Sequence, residues 1–247
     1  MNIIGIDTVK FFTLGNYYLH IVRRLPLVML KGKYRYMYRH HNDAKIIFSF
    51  RNGSTTVSFS VPKLLYGDNY RLGGRKEIFQ SFTVANDLIG LDLREFRITR
   101  LDITSDFSSS YSAVQHKGLV SNPTKFKWIS EFDWGYYYQI NSDIVRSTRS
   151  VIVYQKNDKV RFEVKFQSRR QSKTTASGLI KRFIKHEAEG KELLKESFYY
   201  NCVRHYIETV GSTLRGKKLS SVETDIRDQL YIGLRSNYHN TFNQSFW

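Results

Sequence analysis

The sequence predicts an α+β fold: an antiparallel β-sheet with helices packed on one face, followed by a C-terminal helical section. Three observations predict it. Segments with apolar residues at every second position fill most of residues 1–170. Turn dipeptides such as Asn52-Gly53 and Asn157-Asp158 join neighbouring segments. Beyond about Thr174 the apolar spacing changes to a helical period.

In chain order, IIGIDTVKFF opens the sheet, and YYLHIVRR, KYRYMYRHH, AKIIFSFR and TTVSFSV read as further strands. Pro62 can start, and Gly67 end, a short helix in PKLLYGDN. RKEIFQSFTVANDLIGL carries apolar residues at helical spacing and should pack on the sheet. The strand RITRLDITSDF follows, then a short helix near residues 113–119. KFKWIS, WGYYYQI, STRSVIVYQK and KVRFEVKF read as the remaining strands. After the basic stretch QSRRQSKTT, the segments GLIKRFIKHEAEGKELLKESFYYNCVRHYIETV and VETDIRDQLYIGLRS are helical in period. We therefore divide the chain into a sheet-plus-helix domain, residues 1–170, and a helical region, residues 174–247, for DNA binding or packing.

Composition narrows the class of partner. The 247 residues carry a formal charge of +17, with 17 Tyr and 17 Phe, and 41% are hydrophobic. The chain is thus a folded polycation with aromatic rings to spare, and nucleic acid is the partner it suits best; an acidic lipid surface is the competitor. The longest strongly apolar run, LPLVML, is far too short to span a bilayer. Asp7 and Lys10 interrupt the opening strand, which does not read as a signal peptide. A single cysteine, Cys202, rules out an internal disulfide and a cysteine-based zinc site, and fits a reducing cytoplasm.

Two strands carry charge where a buried strand carries none. In RITRLDITSD, Leu101 and Ile103 share one face while Arg100, Asp102, Thr104 and Asp106 share the other. In KVRFEVKF, Val160, Phe162, Val164 and Phe166 oppose Arg161, Glu163 and Lys165. If the strands are neighbours, Asp102 and Glu163 can hold Mg²⁺ or Mn²⁺ by oxygen ligation, and Arg100 and Arg161 can clamp phosphate oxygens. The same pairs also fit a solvated cross-strand ion-pair network. On SVIVYQK, Ile152, Tyr154 and Lys156 share a face. A tyrosine beside a cation and a lysine can act as a nucleophile toward phosphorus; it can equally be a packing residue.

Four segments in order, SVPKLLYGDN, RITRLDITSD, VIVYQK and VRFEVKF, resemble the filamentous-phage gene II replication initiators and the related Rep_trans-like phage and plasmid replication-initiation proteins. The likeness covers roughly residues 1–170, the opening IGIDTVKFF included, and falls on Lys63, Leu65, Gly67 and Asn69; on Thr99, Arg100 and Asp102; on Tyr154 and Lys156; and on Arg161, Phe162 and Glu163. It implies a nicking-and-joining endonuclease that starts rolling-circle replication through a 5′-phosphotyrosine. Tyr154 would be the nucleophile, and Asp102 and Glu163 would serve the metal. Asp106 stands at the family's variable second acidic position, where it could also serve as a metal ligand. The partners implied are origin DNA, single-stranded or cruciform, and a host helicase, in the cytoplasm of a host bacterium. The chain is shorter than many members, so a C-terminal region for origin binding or oligomerisation is expected to be reduced.

Other segments offer lesser candidates. Lys63 and Asn69 suit a phosphate-binding turn, although SVPKLLYGDN equally reads as a capped helix start. Arg169 and Arg170 in QSRRQSK supply phosphate contacts or sit in a solvated linker. Tyr199-Tyr200 is a rival nucleophile pair, and only one of them can face a site if both are helical. WGYYYQI can stack bases or pack in the core. His40-His41-Asn42 reads as surface or DNA contact rather than a metal site. Two further functions compete with the nuclease: a noncatalytic origin- or single-strand-binding protein, and an RNA-binding accessory protein.

Overall fold

The computed structural model describes residues 3–31, 34–116, 127–133, 135–139, 149–167, 190–213 and 220–243. They form an antiparallel sheet with helices, in two compact units, each assembled from separate stretches of the chain. One strand, β6 (Arg97–Ser108), contributes its first half to one unit and its second half to the other.

The first unit comprises Ile6–Leu101 with Lys181–Tyr199. Its sheet runs β2 (Val28–Met29), β3 (Arg35–Arg39), β4 (Lys45–Arg51), β5 (Ser54–Ser60), β1 (Ile4–Leu14), then β6. The β4–β5 hairpin closes at Asn52 and Gly53, whose φ values of 51° and 65° are the left-handed pair that a two-residue turn requires. Ser60 caps α2 (Val61–Tyr66) by accepting the Lys63 N–H, and Gly67 ends the helix at φ 81°. The helix α3 (Arg75–Ile89) buries Ile78, Phe82, Ala85 and Ile89, the positions its apolar spacing marks. Phe82 meets Phe11 of β1 edge-to-face, 5.3 Å between ring centres.

The segment YYLHIVRR corrects the sequence reading. Its Tyr18–Val22 portion is a helix, α1, rather than a strand. Gly15, at φ 138°, ends β1, and the Asn16 side chain accepts the Tyr18 N–H and starts the turn. Ile21 and Leu25, four apart, are the buried pair, so a helical period prevails over a composition that looks β-like.

The second unit comprises Asp102–Ile180 with Met1–Gly5 and Tyr200–Trp247. From β6 its sheet runs β10 (Lys159–Gln167), β9 (Arg149–Lys156), β8 (Gly135–Gln139) and β7 (Lys127–Phe132). The β9–β10 hairpin turns at Asn157, φ 55°. Two helices, α4 (Glu196–Thr213) and α5 (Ser221–Asn243), form the C-terminal section. Their attachment identifies the face they cover. Asn237 donates to the Ser105 hydroxyl at 2.6 Å, and Gly233 lies so near the Phe107 ring that a methyl there would overlap it. Phe107 in turn packs edge-to-face on Phe162. The helices therefore sit on the apolar face of β6 and β10. Of the predicted short helix near residues 113–119, Ala113–His116 is a single 3₁₀ turn and the rest lies outside the described residues.

Candidate functional site

The opposite face of β6 and β10 holds the charged residues. Asp106 and Arg161 form a forked ion pair: Nε donates to Oδ1 at 2.6 Å and Nη2 to Oδ2 at 2.8 Å. Alternation then puts Asp102 on the Asp106 side of β6 and Glu163 on the Arg161 side of β10, so both carboxylates share that face on neighbouring strands. A second bond sets the direction. Thr104 Oγ1 donates to the Phe162 carbonyl, so moving backward along β6 is moving forward along β10, as in an antiparallel pair.

The β9–β10 register adds the third strand. Tyr154 lies opposite Arg161, Ile152 opposite Glu163, and Lys156 opposite Lys159. Directly opposed residues in an antiparallel ladder point to the same side, so Tyr154 and Lys156 share the face of Arg161 and Glu163. Gly135 of β8 is the next residue across from Tyr154. A Cβ at Gly135 would stand 2.7 Å from both Cα and Cβ of Tyr154 and would overlap the Val153 carbonyl, so position 135 admits no side chain beside Tyr154. Sequence reading missed Gly135, although a glycine inside a strand is the signal for such a close approach.

Burial grades the site. Asp102 is 1% exposed, Asp106 3%, Arg161 0% and Glu163 8%, while Tyr154 and Lys156 are half-buried. Arg161 therefore corrects an expectation. Its guanidinium is enclosed and forked onto Asp106, which makes it an internal counter-ion rather than a clamp on DNA phosphate. Asp106, the variable acidic position, is committed to the same pair. Behind the sheet, Tyr206 of α4 donates its hydroxyl to the Phe162 carbonyl; burial first, then the Asp106 charge, pushes that phenol well above its ordinary value. Nothing in the sequence pattern distinguishes Tyr206 from the other tyrosines.

The remaining candidates fall elsewhere. Arg100 is half-exposed on the Asp102 face, in the first unit's half of β6. Lys63 is exposed on α2, and Asn69 is half-exposed just past it; the segment is a capped helix start, with Asn42 donating to the Lys63 and Leu64 carbonyls. Tyr199 is 2% exposed, and the Tyr200 ring stacks on Phe242 at 4.5 Å. The His40 and His41 rings lie 3.8 Å apart, and burial, then His41, lowers the His40 pKa. Arg169, Arg170 and Trp134 lie outside the described residues. Among the described residues no three His, Cys, Asp or Glu side chains cluster as a metal centre, and no helix is long and apolar enough to cross a membrane.

No protein-family model matches the chain, and no curated protein does. Among solved structures it is similar to the rolling-circle replication initiator protein from Geobacillus stearothermophilus, with 12% identity and a TM-score of 0.36 over 68% of this chain and 75% of that one.

Proposed function

We propose that this protein is a replication initiator that cleaves one DNA strand at an origin with Tyr154 and later rejoins it. The observation that carries the reading is the β9–β10 register, which sets Tyr154 opposite Arg161 on the face that also holds Glu163 and, on the next strand, Asp102. In the reaction the Tyr154 oxygen attacks phosphorus and the P–O3′ bond breaks. The phenol proton is lost, the departing 3′ oxygen is protonated, and the 5′ end remains as a phosphotyrosine ester. The free 3′-hydroxyl can prime synthesis, and its return attack restores the strand without ATP. Lys156, two residues from Tyr154 on the same face, places an ammonium where it favours phenolate and phosphate charge. The Asp106–Arg161 fork braces this part of the sheet from within.

Asp102 and Glu163 are the residues that would hold Mg²⁺ or Mn²⁺. Their chemistry fits such an ion: two carboxylates on one face of neighbouring strands are the hard oxygen donors that it takes. Bound there, the ion would polarise the phosphoryl oxygens. Lys63, Asn69 and Arg100 would contact DNA backbone, and a host helicase is the further partner this reading implies.

Incubation with single-stranded origin DNA and Mn²⁺, followed by denaturing electrophoresis, tests the proposal. Wild type should give a covalent protein–DNA species, Tyr154→Phe none, and Asp102→Asn none while still binding DNA. An adduct that survives Tyr154→Phe moves the nucleophile elsewhere, with Tyr199 and Tyr200 next to examine. The near-complete enclosure of Asp102 and the Asp106–Arg161 pair favours a second reading, in which the charged face only braces a DNA-binding protein; no adduct with any divalent metal would establish it.

A further inference from the structure

The first unit has a charged face of its own, built on different strands. The register lays its side chains out in rows: Met37, Ile47, Ser58 and Lys10 form one, and Arg35, Ser49, Thr56 and Phe12 the next. Arg51, Ser54 and Leu14 make a third, and Arg39 with Lys45 a fourth. All point away from the side on which α3 packs, because Phe11, which meets Phe82, is an odd-numbered β1 residue while Lys10, Phe12 and Leu14 are even. No Asp or Glu occurs among these positions. Carboxylates stand at the margins of this face: Asp43, in the β3–β4 turn, pairs with Arg39 at 3.0 Å, and Asp7 accepts from Ser60 and Thr8 at the other end of β5 and β1.

Exposure is graded across the face. Arg35, Arg39, Lys45 and Arg51 are exposed, while Met37, Ile47, Ser49, Thr56 and Ser58 are half-buried. Cations thus flank a shallow centre in which Met37 and Ile47 lie among hydroxyls, while Phe12 and Ser54 of the neighbouring rows are buried and Leu14 is exposed at the far end of β1. Three strand spacings from β3 to β1 make it about 15 Å wide. That layout complements an unpaired nucleic-acid strand, whose phosphates suit the flanking cations and whose exposed base faces suit Met37 and Ile47. A duplex hides its bases and has nothing to offer the apolar centre. An acidic lipid surface has no use for a hydroxyl-lined centre. We infer that the exposed face of β1, β3, β4 and β5 is a binding surface for single-stranded nucleic acid, separate from the Tyr154 face and independent of any cleavage there.

The test is binding of the full chain to labelled oligo(dT) across a salt series, beside a duplex of equal length and vesicles of phosphatidylcholine and phosphatidylserine. The variants are Arg35→Gln/Arg51→Gln, at two exposed positions whose change leaves folding intact, and Ser58→Glu, which puts a charge of the wrong sign in the centre. Each should weaken oligo(dT) binding by about tenfold or more. The double variant should also lower the salt slope by about 1.4, roughly 0.7 for each phosphate no longer neutralised. Covalent adduct formation with origin DNA is read separately on the same variants, so loss of oligo(dT) binding and loss of cleavage give different results. Wild-type affinity and slope in both variants would overturn the inference. So would duplex binding equal to that of oligo(dT), or a loss confined to the vesicles.

Discussion

Two arginine–aspartate forks, one in each unit, have nearly the same geometry and opposite surroundings. Arg161 grips Asp106 at 2.6 and 2.8 Å, with side chains 0% and 5% exposed. Arg94 grips Asp92 at 2.7 to 2.9 Å, with side chains 54% and 39% exposed. Hydrogen-bond length therefore says little about what a pair does. The buried fork is an obligation, because neither charge can return to water once the sheet has formed. The exposed fork is an option, because water and salt stand ready to replace either partner.

The largest effect should come from breaking the buried pair on one side only. Asp106→Ala takes the forked carboxylate away from the enclosed Arg161 guanidinium, and should cost about 3–5 kcal/mol, read as a large fall in the urea midpoint. Removing both charges, as in Asp106→Leu with Arg161→Met, should recover most of that loss, since the pair's net value over an apolar replacement is small. A double variant no more stable than Asp106→Ala would show that the charges are needed for more than each other.

That pair also marks how far sequence reaches. The alternation of RITRLDITSD and KVRFEVKF showed which residues share a face, because the period of two is a local property of a strand. Asn52-Gly53 and Asn157-Asp158 showed where the hairpins turn, since positive φ selects such residues locally. The partner of Arg161 was not legible. Asp106 is 55 residues away, and only the register between strands decides whether a guanidinium meets an aspartate or faces solvent. Gly135 was missed for the same reason: its need for no side chain arises from the β9 backbone. YYLHIVRR failed differently, since a residue such as Asn16, bonding one turn onward, outweighs the β-like composition after it. The division into interleaved units has no signature in a composition that changes once along the chain.

A smaller effect sharpens the contrast from the helix side. Tyr206→Phe deletes a fully buried hydroxyl but leaves the Phe162 carbonyl its bond from Thr104, so no acceptor is orphaned. The expected loss is about 0.5–1.5 kcal/mol by denaturant titration. A loss as large as that of Asp106→Ala would mean that the phenol, rather than the ion pair, holds the buried network together. In the other unit, Ser60→Ala should cost about 1 kcal/mol, because the same hydroxyl caps α2 and donates to Asp7 at 3.0 Å.

The smallest effect belongs to the exposed fork, and acid is the way to see it. The hydrogen bond from Arg94 is the main cause that holds the Asp92 carboxyl below its usual value of 3.8. A depressed carboxylate contributes stability above its unfolded value, and that contribution fades as pH falls through the folded one. With so much of the pair in water, the whole contribution should be under about 1 kcal/mol. The measurement is an NMR titration of the Asp92 carboxyl from neutral pH into acid. Arg94→Gln should raise its midpoint toward that of an ordinary aspartate, and high salt should move the wild-type midpoint the same way, because an exposed pair is open to screening. Global stability at neutral pH should barely change in Arg94→Gln. If that midpoint ignored both the substitution and the salt, Asp92 would owe its shift to Asn86 and the Arg94 backbone N–H, which also bond it, and exposure would not be what separates the two forks.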